Sequence, residues 1–525
     1  MRRLSSSAVI LFLLTLTLSA QSPVDLATVG RIRQEAFQRS QVMDHVWWLS
    51  EVYGPRTSGT PAFAAASEWA MKRFTEWGLS NVHQERFAFG QGWVIEKFSA
   101  QLLTPQPQIL IGAPRNLSRS TAGPITADVV RLELESADDL TKYKGQLRGK
   151  IVVVQPVRAV RQLDGRIVLR MTEADFAEAA STPVPADAAP APPAAAFEAA
   201  RALGQQLNAF LVAEGAAALL DRGSDSDVSA GGSDLSWQTQ RIDSGTIFPG
   251  SGGSVDPKAP PQVPSATLAV EHYNRIVRLL ARNIPVKLEL NIQTSFHPET
   301  SQPNGINTIA EIPGSDLAHE VVLLGAHMDG VPYAVGATDN ATGSAAMMEA
   351  LRVIKTLGLK PRRTIRVALW CAEEQGLRGS RAYVQEHYFD FASGTPKAGH
   401  ETLAAYFNLD NGTGRIRGIW SQANLAAMPI FTRWGAALQD IGWQLVSPRS
   451  VSATDHSSFD NAGLPGFQFM QERLDYNSRT HHSNMDAYDR VQRADMVQQA
   501  TVAAVFAWNA ANADEKLPRK PLPTR

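Results

Sequence analysis

Three short apolar runs in the C-terminal half of the chain constrain its fold more than any other feature. They are residues 321–325 (VVLLG), 364–371 (TIRVALWC) and 403–409 (LAAYFNL). Continuous apolar runs of this length are typical of strands buried on both faces of a parallel sheet, with helices between them. Residues 343–357 fit such a helix, because their apolar side chains repeat with the helical period along one face. We therefore predict an α/β fold with a mostly parallel central sheet sandwiched by helices.

Side chains that bind metals follow these runs or lie in neighbouring segments. In open α/β sheets, ligands bind beyond the carboxyl ends of the strands, so such side chains converge there. The set comprises His327 and Asp329 in AHMDG, Asp339 in TDN, Glu373 and Glu374 in CAEEQ, Asp410 in NLDNG and His482 in THHSNMD. Zinc binds imidazole nitrogen and carboxylate oxygen, and two zinc ions with few protein ligands need one shared carboxylate. The sequence therefore predicts two zinc ions per chain.

Charge and order along the chain suggest how five of these residues divide between the ions. We expect His327 and Asp410 to complete one zinc site, and Glu374 and His482 to complete the other. Asp339 is then the bridging carboxylate. This division leaves positions on the ions open for water.

The two remaining residues are predicted to act without binding zinc. Glu373 is adjacent to a ligand but is not needed as one, so it is free to take a proton from the attacking water as a general base. Asp329 lies two residues beyond His327, and we expect it to hold the second nitrogen of that imidazole.

With these residues assigned, the chain resembles the co-catalytic di-zinc exopeptidase family, which includes bacterial leucyl-type aminopeptidases and carboxypeptidase Q, the plasma glutamate carboxypeptidase. The matching stretches cover most of residues 320–490 and read GAHMDG, GATDNATGSAAMMEALRVI, ALWCAEEQGLRGSRAYV, NLDNGTG and HHSNMD. The resemblance implies the ligand roles given above and the zinc exopeptidase fold, which is phosphorylase/hydrolase-like. It also implies a cis peptide bond between Asp339 and Asn340.

One position departs from several relatives of this family. They carry Tyr immediately before the last ligand, where it donates a hydrogen bond to the oxyanion, whereas this chain has His481. We expect His481 to do the same work, since an imidazole N–H is also a donor. Tyr476 is the competing candidate.

Three further residues are candidates for contact with the substrate. Asp455 and His456, in ATDHSSF, resemble another family segment, although a hydrogen-bonded loop pair explains them equally well. Arg415 is a candidate for binding a substrate carboxylate bidentately. A solvated surface charge is the favoured interpretation of Arg415.

The length of 525 residues exceeds one typical core, so more than one domain is expected. We divide the chain into residues 1–20 (signal peptide), 25–117 (first part of the catalytic domain), 118–285 (insert), 286–513 (second part, with the metal motifs) and 514–525 (flexible tail). Strand-like segments around residues 82–89 and 98–103 resemble family strands that join the catalytic sheet. The insert resembles a β-rich protease-associated (PA) domain. Restricting entry to short peptides is its favoured role, and passive docking or stabilisation is the alternative.

The first residues contain a pattern that is typical of a targeting signal. Arg2 and Arg3 precede an apolar stretch at residues 8–18, and Ser19-Ala20 offers a cleavage point. This pattern predicts a signal peptide and export to the periplasm or the medium, with an uncleaved anchor as the alternative. A single Cys excludes an intramolecular disulfide.

The expected function is that of an exported zinc exopeptidase that acts on short peptides, with aminopeptidase activity favoured. A formal net charge of -1 gives no excess of positive charge that would favour binding to nucleic acid or to a membrane surface. A carboxypeptidase or dipeptidase of the carboxypeptidase Q type is the main alternative. A glutaminyl cyclase, which uses one zinc, and a non-catalytic binding ectodomain of the same fold are lesser alternatives.

Overall fold

The computed structural model describes residues 24–182, 194–224 and 233–522. The predicted signal peptide, residues 1–20, lies outside them. The helices are α1 (Leu26–Gln38), α2 (Val42–Trp47), α3 (Pro61–Glu76), α4 (Glu173–Ala180), α5 (Ala194–Glu214), α6 (Val270–Leu280), α7 (Thr342–Thr356), α8 (Arg378–His387), α9 (Met428–Gly435), α10 (His456–Asp460) and α11 (Arg493–Asn512). Among the described residues, no helix is long and apolar enough to cross a membrane.

Two eight-stranded sheets organise the molecule. Their strands are β1 (Ser80–Phe87), β2 (Gly92–Thr104), β3 (Gln108–Ile109), β4 (Gly112–Pro114), β5 (Ile125–Arg131), β6 (Ile151–Val153), β7 (Ala218–Asp221), β8 (Ser265–Leu268), β9 (Lys287–His297), β10 (Gly305–Ile312), β11 (Leu317–His327), β12 (Arg363–Trp370), β15 (Leu403–Asn408), β16 (Ile416–Trp420), β17 (Leu445–Ser447) and β18 (Gly466–Gln471). A separate small hairpin pairs β13 (Phe389–Asp390) with β14 (Thr395–Pro396).

The first sheet has the order β1-β10-β12-β11-β15-β18-β16-β17. Its four central strands, β12, β11, β15 and β18, are mutually parallel, and antiparallel pairings occur only towards its edges. The three apolar runs form β11, β12 and β15, and the predicted helix over residues 343–357 is α7. The predicted α/β class with a mostly parallel central sheet is therefore confirmed.

Both faces of this sheet are covered by helices. Along β11, Val322 and Leu324 belong to the core beneath α7 and α11, whereas Leu323 belongs to the core formed with α8 and α10. Successive side chains of a strand point to opposite faces, so a strand buried on both sides needs an apolar residue at every position. This is the physical reason for the continuous apolar runs.

The second sheet has the order β3-β2-β9-β5-β6-β7-β8-β4. The expectation that residues 98–103 join the catalytic sheet is wrong, because they lie in β2. This strand pairs antiparallel with β9 along almost its whole length, from Gly92 opposite His297 to Thr104 opposite Lys287. The second sheet therefore extends beyond the expected insert, residues 118–285, on both sides.

The C-terminal segment differs from the expected flexible tail over its described part, residues 514–522. Leu517 is buried, and Arg519 donates hydrogen bonds to the carbonyl oxygens of His400 and Leu403. Lys520 forms an ion pair with Asp460 at 2.6 Å. A Pro/Lys/Arg composition predicts disorder, but here the basic side chains reach acceptors on the folded core.

The core between the central sheet and α11 should dominate the stability of this half of the molecule. Phe407 on β15 is fully buried, and its ring packs against those of Phe431, Phe467, Phe469 and Phe506. Phe407→Ala should lower the free energy of unfolding by about 3–5 kcal/mol, because it removes a large side chain and leaves a cavity. Urea unfolding followed by tryptophan fluorescence measures the change. Phe37→Ala, at a 48% exposed site, is the control, and equal effects of the two substitutions would contradict this core assignment.

Candidate metal centre

The parallel register brings the predicted ligands to one end of the central sheet. His327 ends β11 and lies opposite Trp370, the last residue of β12, while Gly325 lies opposite Asn408, the last residue of β15. Glu373 and Asp410 follow these strand ends within three residues. The strands thus deliver an imidazole and carboxylates to the same edge.

The two carboxylate oxygens of Asp339 face different imidazoles. Its Oδ1 lies 3.4 Å from His327 Nε2, and its Oδ2 lies 3.5 Å from His482 Nε2. The peptide bond between Asp339 and Asn340 is cis, as the family resemblance implies. The carboxylate of Asp339 therefore lies between the imidazoles of His327 and His482, which is the position that a bridging carboxylate requires.

Each imidazole also has a second carboxylate beside it. His327 Nε2 lies 3.3 Å from Asp410 Oδ1, and His482 Nε2 lies 2.9 Å from Glu374 Oε2. The five predicted zinc ligands thus form two groups that share Asp339. Their roles as ligands stay a prediction, which the geometry supports.

The donor atoms fit divalent metal ions. The ligand atoms of His327, Asp339 and Glu374 lie within 4.8 Å of one another, and so do those of Asp339, His481 and His482. Within the described parts of the chain, the buried atoms Asp339 Oδ2 and Glu374 Oε1 have no hydrogen-bond partner. Buried carboxylate oxygens are costly unless a donor or a cation satisfies them, so the donor set is suited to zinc.

The charges of the cluster change the proton affinities of its imidazoles. Burial opposes a charge on His482, but Glu374 and Asp339 outweigh it and raise the pKa of His482 to about 9. Burial likewise opposes a charge on His327, and Asp410 and Glu373 raise its pKa well above the usual value. Both imidazoles therefore favour the protonated form at neutral pH, and a metal bound to them would have to displace that proton.

Glu373 lies beside the ligand groups without joining either of them. Burial raises its pKa well above the usual value, and the neighbouring carboxylates of Asp410 and Asp455 add to this. A carboxyl group with a raised pKa is suited to accept and return a proton near neutral pH.

Asp329 is expected to hold the second nitrogen of the His327 imidazole, and it does so through its main chain rather than its carboxylate. Its main-chain carbonyl oxygen, at 3.0 Å, lies closer to His327 Nδ1 than its carboxylate, at 3.6 Å. The carboxylate instead accepts hydrogen bonds from the backbone N–H groups of Glu373 and Glu374, at 3.3 and 3.4 Å. Asp329 therefore orients the imidazole through its backbone and the Glu pair through its side chain.

The rings of the two candidates for the oxyanion donor pack against each other. The ring centroids of Tyr476 and His481 are 4.7 Å apart, and His481 Nε2 lies 3.9 Å from Asp339 Oδ2. Burial and the neighbouring His482 lower the pKa of His481 to about 3, so its imidazole is neutral. The side chain of His481 is 35% exposed, whereas Tyr476 is buried. His481 is thus the more accessible of the two to a substrate.

The three other predicted substrate-contact residues differ in how they relate to the cluster of predicted zinc ligands. Asp455 is fully buried, and burial, together with Asp410 and Asp329, raises its pKa to about 7. His456 Nε2 lies 2.8 Å from the carbonyl oxygen of Val451, as in a loop hydrogen bond. Arg415 is not brought to the cluster, because its guanidinium pairs with Asp495 on α11 at 2.8 Å.

Asp486 is a site residue that the sequence reasoning missed. It is fully buried, and its two carboxylate oxygens accept hydrogen bonds from the backbone N–H groups of Thr338 and Asp339, at 2.6 and 3.0 Å. It thereby fixes the backbone that carries the shared carboxylate. The available signal was its place at the end of HHSNMD, the motif that contains His482.

Zinc binding should depend on pH through His482. Its ring carries a proton below a pKa of about 9, and zinc must displace that proton, so affinity should rise between pH 6.5 and about 9 and then level off. Competition with a chromophoric chelator across this range measures the effect. The control is His272→Asn in α6, far along the chain from the predicted ligands, which should leave the dependence of zinc affinity on pH unchanged. An affinity independent of pH would contradict the assignment of His482 as a ligand.

Comparisons with known proteins support the same chemistry. Residues 307–507 match the model of Peptidase family M28. Carboxypeptidase Q of Mus musculus is 27% identical over 504 residues, which cover 95% of this chain and 90% of that protein. Leupeptin-inactivating enzyme 1 of Streptomyces exfoliatus is 36% identical over 167 residues, 32% of this chain and 36% of that protein.

Solved structures agree with these sequence matches. The Peptidase M28 precursor from Shewanella amazonensis SB2B has a TM-score of 0.67 at 25% identity, covering 95% of this chain and 99% of its own. BSAP, a zinc aminopeptidase from Bacillus subtilis, shares the fold with a TM-score of 0.55 at 17% identity, covering 90% and 95% of the two chains. The predicted resemblance is confirmed over the part of the chain that carries the metal motifs: residues 307–507 match Peptidase family M28, and the protein is a metallopeptidase.

Proposed function

We propose that this metallopeptidase is an exported exopeptidase that removes a terminal residue from short peptides, with two zinc ions in each chain. The observation that carries the proposal is the position of Asp339 between two groups of ligands. The predicted signal peptide supports export. Aminopeptidase activity is the favoured specificity.

In the proposed mechanism, bound zinc would supply Lewis acidity to polarise the scissile carbonyl and to lower the pKa of the attacking water. His327 and Asp410 would hold one ion, Glu374 and His482 would hold the other, and the carboxylate of Asp339 would be available to both. Glu373 takes a proton from the attacking water as the O–C bond forms. It then returns the proton to the amine as the C–N bond breaks, so the carboxylate is regenerated.

His481 is the proposed oxyanion donor. Its neutral imidazole can present an N–H to the substrate, and its partly exposed side chain lies beside the carboxylate of Asp339. Burial raises the pKa of Tyr476 well above the usual value, so its hydroxyl also stays protonated as the alternative donor.

The insert is proposed to restrict access to the site. Its backbone contacts the segment that carries Tyr476, His481 and His482. Ile242 N–H donates to the carbonyl oxygen of Ser478, and Ile247 N–H donates to Asn484 Oδ1, both at 2.9 Å. A wall at this place would favour short substrates over long ones. The same contacts also suit the alternative role in stability.

Carboxypeptidase or dipeptidase activity is the second candidate. Proteins named Carboxypeptidase Q match this chain over 95% of its length, whereas the zinc aminopeptidase structure shows only the shared fold. The end of the substrate that is recognised depends on the groups that meet its free terminus.

Glu373→Gln should separate proton transfer from metal binding. We expect kcat to fall about 10²- to 10⁴-fold, the range for a lost general base, with two zinc ions retained. Metal analysis and peptide hydrolysis assays measure the two effects. Glu374→Gln should instead lose zinc. Normal turnover in Glu373→Gln, or loss of zinc from it, would overturn the assigned role.

A substrate panel should define the end that is recognised. Free dipeptides, N-blocked peptides, C-amidated peptides and long peptides are assayed before and after chelation and after zinc is restored. Loss of cleavage on N-blocking alone is expected and indicates an aminopeptidase, whereas loss on C-amidation alone indicates a carboxypeptidase. Free dipeptides should be cleaved faster than long peptides. Equal rates would contradict the restricting role of the insert.

A further inference from the structure

A buried arginine lies under the metal-binding loops. Arg56, between α2 and α3, is fully buried. Its guanidinium donates to the carbonyl oxygens of Met328 at 2.7 Å, Val335 at 2.9 Å and Gly336 at 2.7 Å, and also to that of Leu49. Three of these acceptors belong to the loop between β11 and α7.

The acceptors bracket the part of this loop that leads from one side of the metal centre to the other. Met328 lies between His327 and Asp329, while Gly336 lies three residues before Asp339. A single planar guanidinium therefore fixes both ends of the segment. Hydrogen bonds from a charged donor are stronger than neutral ones, so this fork resists movement of the loop.

The charge of Arg56 also complements the carboxylates. Burial lowers the pKa of Arg56 to about 10, while the nearby carboxylates of Asp486, Asp329 and Asp339 favour its charged form. It therefore remains a cation at neutral pH. A fixed cation beneath the cluster limits the repulsion between the carboxylates as they assemble.

The same segment reaches the second ligand-bearing loop. Ser58 Oγ accepts a hydrogen bond from the backbone N–H of Ala372 at 2.9 Å, directly before Glu373. Gly54 packs so closely that an added Cβ would lie 2.5 Å from the carbonyl oxygen of Val335. The segment from Gly54 to Ser58 thus contacts the loops that follow both β11 and β12.

We propose that Arg56 is a positioning residue of the metal centre, whose guanidinium fork holds the loop from Met328 to Gly336 and so sets the separation of His327 and Asp339. Ser58 holds the Glu373-Glu374 loop in the same way. This inference rests on the proposed ligand set. It assigns Arg56 no contact with the substrate or the attacking water.

The test compares two buried arginines. Arg56→Met removes the fork beneath the site. Arg363→Met is the matched control, because Arg363 is also buried and donates to main-chain carbonyls, including that of Ala510 at 3.4 Å. It lies at the start of β12, at the opposite end of the strand from the metal centre. Zinc affinity by chelator competition and the melting temperature of the metal-free protein are measured for the full chain.

We expect Arg56→Met to lower zinc affinity about 10- to 100-fold, the range for residues that orient metal ligands. Arg363→Met should lower the melting temperature without changing zinc affinity. Arg56→Lys keeps the charge but cannot reach carbonyls on both sides of the loop, so it should also lose affinity. Wild-type zinc affinity in Arg56→Met or in Arg56→Lys would overturn the proposal.

Ser58→Ala keeps the proposal testable if the Arg56 variants do not fold. It removes one acceptor, and it should lower zinc affinity with a smaller change in melting temperature than Arg363→Met. An unchanged affinity would contradict the positioning role of the segment. Failure of the wild-type chain to bind two zinc ions would instead overturn the ligand set itself, so the two failures are distinguishable.

Discussion

The position of one carboxylate between two imidazoles is the interaction on which the proposed site depends. Asp339 turns one oxygen towards His327 and the other towards His482. Around it lie further carboxylates that are buried or half-buried, and like charges in a buried site are unfavourable without compensation. The protonated imidazoles supply part of that compensation in the metal-free chain. Divalent cations are the natural replacement for those protons.

Buried hydrogen bonds from the surrounding structure hold the residues of this arrangement in place. Asp486 holds the backbone of Asp339, and Asn340 donates to the carbonyl oxygen of Leu409 at 2.9 Å, next to Asp410. Asp329 connects His327 to the Glu pair. Each of these contacts joins the loop after one strand to the loop after another strand. The central sheet therefore sets the approximate positions, and the buried polar groups refine them.

Much of the catalytic half could be predicted from the sequence because its signals are local. A strand buried on both faces must be apolar at every position, which is why β11, β12 and β15 were recognisable. Residues that follow such strands must lie at the same edge of the sheet, which placed His327, Glu373 and Asp410 together. The bridging and base roles assigned to Asp339 and Glu373 remain predictions, and the geometry supports them.

The missed features depend on contacts between distant segments. Arg56 acts on backbone carbonyls about 280 positions away in the chain, and main-chain acceptors leave no mark in the sequence. The strand β2 pairs with β9, which lies nearly 200 positions later in the chain. The composition of β2 alone does not indicate which sheet it joins. In the same way, the hydrogen-bond acceptors of Arg519 lie on the folded core. The composition of the tail alone therefore wrongly predicted a flexible segment.

The most direct test of the central claim is anomalous diffraction at the zinc edge from crystals of the zinc-loaded protein. Two peaks are predicted, one beside His327 and Asp410 and the other beside Glu374 and His482, with the carboxylate of residue 339 between them. A single peak, or peaks away from these side chains, would contradict the two-zinc account.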